Sequence, residues 1–181
     1  RRMIAKAEGG LEVATGSLAS ALVAQAGGAM RVELCGGLAD GGLTPSLGTV
    51  AIARERLGIP LHVLIRPRSG DFVFDPDEIE VMCRDIRECR QLGCDGVVIG
   101  ALTAQGDVDE VACRQLIKQA GGMSITFHRA FDVAADPAHA LDQIITLGCQ
   151  RLLTSGAAER AIDGRDRIAA WIAQPAGRIV V

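Results

Sequence analysis

The stretch GGMSITFHRAFDV, residues 121–133, decides how this sequence folds. Met123, Ile125 and Phe127 are separated by small Ser124 and Thr126, the pattern of a short buried strand entered through a glycine turn. The run then ends in His128 and Arg129, and an acid returns at Asp132. Burying such groups unpaired is strongly unfavourable, so the strand is expected to end at a shared polar site.

Working outward, the same joint recurs. AGGAMRVELC, LGIPLHVLIRP, LGCDGVVIG and LGCQRLLTSG each put glycine between a helix-like stretch and a strand-like run. Glycine suits the left-handed position that closes a helix. Strands are predicted at residues 11–14, 31–35, 61–65, 96–99, 124–127, 151–154 and 178–181. They recur at intervals of roughly 20 to 35 residues, the length of a βα unit. Asp75-Pro76-Asp77-Glu78 supplies an N-cap, a proline at the first helical position and an acid at the third; residues 107–110 and Asp136-Pro137 repeat parts of it.

Strict alternation of strand and helix means a parallel sheet covered by helices. No GxGxxG follows the first strand, which argues against the dinucleotide-binding form of a doubly wound sheet. Polar groups at nearly every strand end instead predict an α/β fold of the (β/α)8 TIM-barrel type, whose loops line one mouth. Seven strands in 181 residues fall short of the eight strands and about 250 residues usual for that fold. The expectation is a single barrel domain over residues 1–181, incomplete at its C-terminal end.

Composition bounds the function. Hydrophobic residues make up 49% of the chain but Tyr is absent, so the core must be aliphatic. A net charge of -3 with scattered cations argues against nucleic acid and anionic membranes as partners. No apolar run approaches the roughly 18 residues of a membrane span. The start, with Lys6 and Glu8 after Arg1-Arg2-Met3, lacks a signal-peptide core, so a cytoplasmic location is expected. The six cysteines show no CxxC pair and no zinc-finger spacing, which points to buried thiols.

Side-chain parity selects the candidates. Glu12, Glu33, Arg66, His128 and Ser155 are expected to look into one mouth. In a catalytic arrangement Arg66, Arg68 and Arg129 would hold a carboxylate or phosphate. Glu33 would be the base and His128 the acid, with Asp132 orienting His128 or Arg129. Asp71 follows Arg68 at the same strand end, and Thr154, Ser155 and Gly156 would donate to the substrate. The structural alternative is a salt-bridge plug joining Glu33 or Glu12 to Arg66 or Arg129. Cys35, beside Glu33, is either a soft-metal ligand suited to Cu(I) or a plain buried thiol. The glycine-rich loop at residues 34–46 either approaches an anion through its amides or forms a lid ending at an N-cap.

Taken as whole strings, VELCGGLADGGLTPSLG, IRPRSGDFVF, DGVVIGALTAQGDVD, ITFHRAFDVAADP and RLLTSG resemble the copper homeostasis family called CutC. The resemblance implies a (β/α)8 barrel that continues past Val181. It also implies copper binding through a cysteine near the end of strand one and the cysteine of the ELC string. Here the first position is Ala14, and only Cys35 remains. Three functions compete: cytoplasmic handling of copper as Cu(I), an enzyme acting on a small anionic molecule, and a non-catalytic assembly subunit. The expected partner is a copper ion or a small anion, with a homo-oligomer left open.

Overall fold

The computed structural model describes residues 10–174 and 177–181. The segment from Arg1 to Glu8, read above against a signal peptide, lies outside the described residues. Strands and helices alternate in the order β1 (Glu12–Thr15), α1 (Leu18–Ala26), β2 (Arg31–Leu34), α2 (Leu47–Arg56), β3 (Leu61–Leu64), α3 (Pro76–Gln91), β4 (Gly96–Ile99), α4 (Glu110–Ala120), β5 (Ser124–Phe127), α5 (Pro137–Thr146), β6 (Arg151–Leu152) and α6 (Arg165–Ala173). All six strands pair in parallel in sequential order, which makes the sheet a half-barrel.

The helices begin where short polar side chains satisfy their free amides. Asp75 and Glu78 form a reciprocal capping box with Pro76 in the first turn of α3. Asp109 caps α4, Asp136 caps α5 ahead of Pro137, and Ser46 closes the glycine-rich loop as the cap of α2.

Parity then divides the sheet. Val32, Leu34, Val63, Ile65, Val97, Ile99, Ile125 and Phe127 join one buried cluster with Ile79, Met82, Ile86, Leu116, Leu141 and Ile144 of the helices. Burial of such side chains contributes about 1.5–3 kcal/mol each, so this outer layer carries most of the stabilisation. On the inner face Cys35, Leu64 and Val98 form a separate small cluster. The buried polar groups Glu33, His62, Arg66, Thr126 and His128 follow the same parity.

Two expectations need correction. The seventh strand is a single parallel bridge between Arg151 and Val180. Leu152 donates to the Val180 carbonyl and Val180 donates to that of Gln150, so the pairing flanks one residue. β6 also stops at Leu152 instead of continuing to Thr154. The Leu153 amide still donates to the Phe127 carbonyl, but those of Ser155 and Ala157 turn to the Asp132 carboxylate.

Candidate functional site

Glycines in and just beyond β4 make room for two imidazoles on its neighbours. A Cβ at Gly96 would stand 2.6 Å from the His62 ring, and one at Gly100 would stand 2.5 Å from that of His128. Both rings therefore occupy the space over β4 that a Cβ would fill, and any larger residue would displace them.

The most strongly perturbed carboxyl is Glu33. It is 7% exposed, and burial, assisted by the charge of Glu12, raises its pKa to about 7. Among the described residues no arginine forms an ion pair with it; the Cys35 thiol donates to its Oε1 at 3.5 Å. Burial first and the neighbouring carboxylate second push that thiol well above the usual range for cysteine. Cys35 also lines a cavity of about 450 Å³, together with Gly16, Ser17, Pro45, Ser46 and Thr49.

Arg66 is 6% exposed, and its hydrogen bonds among the described residues go to main-chain oxygens. Its terminal nitrogens donate to the carbonyls of Gly42 at 3.2 Å, Gly70 at 2.7 Å and Asp40 at 3.4 Å, tying two strand-end loops together. The guanidinium lies 4.8 Å from the centroid of Phe72, whose ring stands 5.0 Å from that of His128. His128 accepts the Ala130 amide on Nδ1 at 3.1 Å. Burial and the nearby Arg66 charge lower its pKa to about 3. A pKa that low leaves the ring uncharged at neutral pH. For Glu33 burial outweighs the Arg31 charge, which acts the other way.

Asp132 organises the end of β6. It accepts from Arg129 Nε at 2.9 Å, from the Ser155 amide at 3.0 Å, from the Ser155 hydroxyl at 2.9 Å and from the Ala157 amide at 3.0 Å, with Thr154 Oγ1 as a further donor. Burial would raise its pKa, but the hydrogen bonds from Thr154, Arg129 and the amides outweigh that and hold it below the usual carboxylate value. Arg129 also donates to Ser155 Oγ at 2.7 Å, and the Gly156 amide donates to Thr154 Oγ1 at 2.9 Å. The groups expected to meet a substrate here bond to one another, building one rigid turn.

Two candidates stand apart. Glu12 opens β1 and pairs with Arg31, which opens β2 (Nε to Oε2 2.7 Å), so it sits at the amino end of the half-barrel and not in the mouth. Arg68 binds Glu78 and Asp71, the latter at 3.0 Å, on the surface. The plug expected from Glu33 or Glu12 with Arg66 or Arg129 does not form. His62, 2% exposed, and Phe72 were not among the expected residues. His62 shares the parity of Leu64 and Arg66 in LHVLIRP, which is the signal that could have found it.

The donor set decides how copper can fit. No group of three or more His, Cys, Asp or Glu side chains suited to a metal occurs among the described residues. The mouth offers one thiol, hydrogen-bonded to a carboxyl, while Ala14 is an exposed inner-face residue whose register partner is Glu33. That set does not fit a resident two-thiolate Cu(I) centre. No helix among the described residues is long and apolar enough to cross a membrane.

A parallel half-barrel with buried polar groups converging at the carboxyl ends of its strands defines an α/β protein of the (βα)-repeat class. The chain belongs to the CutC family, whose sequence pattern matches residues 10–181. It is 64% identical over 170 residues to a CutC family protein of Xanthomonas axonopodis pv. citri, covering 94% of this chain and 71% of the relative. A Xylella fastidiosa CutC family protein is 62% identical over 172 residues, covering 95% and 64%. The chain thus spans about two thirds of the length of these relatives. The solved structure of a protein from Streptococcus agalactiae described as a CutC copper homeostasis protein superposes with a TM-score of 0.88 at 35% identity, covering 93% of this chain and 83% of that one. A phosphoenolpyruvate phosphomutase from Streptomyces platensis shares the fold, with a TM-score of 0.58 at 15% identity.

Proposed function

We propose that this chain handles Cu(I) in the cytoplasm as passing cargo, with Cys35 its one soft ligand at the mouth and an external thiol completing the pair. The observation that carries the proposal is the Cys35–Glu33 pair beside an open cavity. A soft ion bound to sulfur must displace the thiol proton. Glu33, titrating near 7, stands within hydrogen-bond reach to receive it. The raised thiol pKa and the missing second thiol keep affinity low, which suits transfer better than storage. All six cysteines are free, as a reducing compartment requires. The copper homeostasis description of the Streptococcus agalactiae neighbour points the same way. The test is a competition titration of reduced protein with Cu(I) against a chelator, with and without a small thiol. Binding should be weak, should strengthen when the thiol is added and should disappear in Cys35→Ser; tight binding that survives Cys35→Ser overturns the proposal.

A second function is favoured by the Glu33 carboxyl itself. A buried acid titrating near neutrality at the mouth of a (βα) fold is poised for proton transfer on a small molecule. In that role Glu33 exchanges the proton, and the neutral His128 donates a hydrogen bond to the substrate.

A further inference from the structure

Arg66 and His128 share an unusual condition. Both are more than nine-tenths buried, and each leaves one polar nitrogen without a partner: Nε of Arg66 and Nε2 of His128. The tautomer of His128 follows from its neighbours. Because Nδ1 accepts the Ala130 amide, the proton of the neutral ring resides on Nε2, making that nitrogen a donor. The Arg66 Nε is also a donor. Two buried donor-bearing side chains, from the ends of β3 and β5, therefore lie against the same Phe72 ring.

Charge sharpens the point. Among the described residues Arg66 has three carbonyl partners and no carboxylate partner, and the charge of Arg68 acts on it as a like charge. Leaving a guanidinium buried with no counter-charge is costly, and native structures compensate such a group. The Gly42 and Gly70 carbonyls fix the plane of the guanidinium, and Gly100 leaves the space into which His128 fits, so both donors are preorganised by main-chain contacts.

We infer that Arg66 Nε and His128 Nε2 form an anion-binding site for a small molecule bearing a carboxylate or phosphate group, with Phe72 as its apolar wall. The inference deepens the small-molecule function of the mouth and is independent of copper on Cys35. Because His128 is neutral, the site binds through one charged and one uncharged donor.

The test uses thermal unfolding and calorimetry of the chain with inorganic phosphate and, separately, succinate, against chloride at matched ionic strength. One or both probes should raise the melting temperature where chloride does not, and the probe that does so identifies the headgroup. His128→Asn keeps an acceptor for the Ala130 amide but removes the Nε2 donor. It should weaken binding about tenfold or more, the loss expected for a hydrogen bond to a charged group. If that variant does not fold, Arg66→Lys, which keeps the charge and removes Nε, gives the same comparison. Cys35→Ser should leave anion binding unchanged, which separates failure of this site from failure of the copper proposal. No shift with either probe beyond that of chloride, or equal affinity in His128→Asn, overturns the inference and leaves buried water as the partner of both nitrogens.

Discussion

Replacing Glu33 with glutamine should stabilise the protein, and only above a defined pH. Burial raises the Glu33 pKa from 4.5 to about 7. The native state therefore binds this proton more tightly than the unfolded chain. Its favourable contribution is fully present below pH 4.5, erodes as pH rises through the window from 4.5 to 7, and is gone above that. At about 1.4 kcal/mol per pKa unit, the ionised carboxylate costs the fold on the order of 3 kcal/mol at pH 8. Glu33→Gln removes the ionisation and keeps the size. The glutamine carbonyl oxygen can still accept from the Cys35 thiol, so that hydrogen bond is kept. The variant should therefore exceed the wild type by about 3 kcal/mol at pH 8 and match it near pH 4.5. Urea unfolding of both proteins across that range reads the difference directly, because the other titrating groups cancel. A variant that is less stable than the wild type at pH 8 would refute the reasoning, since it would mean that the Glu33 carboxylate is stabilised by a partner. A gain in stability on removing a buried charge is what a carboxyl retained for function predicts.

Other substitutions probe the neighbouring features. Asp132→Asn should destabilise the fold by about 3 kcal/mol at pH 7, since it replaces one accepting oxygen with an NH2 donor that faces the amide and hydroxyl donors the carboxylate satisfied. The Asp132 contribution is present above pH 3.8 and is lost as pH falls below it, so the gap should narrow in acid, as urea titrations at pH 7 and pH 3 would record. Gly100→Ala would place a Cβ 2.5 Å from the His128 ring and should cost about 1–3 kcal/mol in thermal unfolding while abolishing anion binding.

The strands were legible because each is a short run between a helix-closing glycine and a polar end, and the caps at Asp75, Asp109 and Asp136 were legible because their chemistry is local. Parity also identified Glu33, Cys35, Arg66 and His128 as sharing a face. Height along the half-barrel was not legible. Glu12 shares that parity, yet its register partner is Arg31 at the start of β2, so it lies at the other end. The end of β6 was misjudged for a related reason: Asp132, more than twenty residues away, competes for the amides that would have extended the strand. The protonation states of Glu33 and His128 were out of reach as well. They depend on burial and on Arg66 spending its donors on the carbonyls of two loops, and no spacing in the chain encodes that.

The most direct measurement of the central claim is X-ray absorption at the copper edge on reduced protein loaded with Cu(I) in the presence of one equivalent of a small thiol. A two-coordinate sulfur environment that vanishes in Cys35→Ser, and that forms without the added thiol in Ala14→Cys, is the result this account predicts. A nitrogen- or oxygen-rich shell, or a sulfur shell that persists in Cys35→Ser, would contradict it.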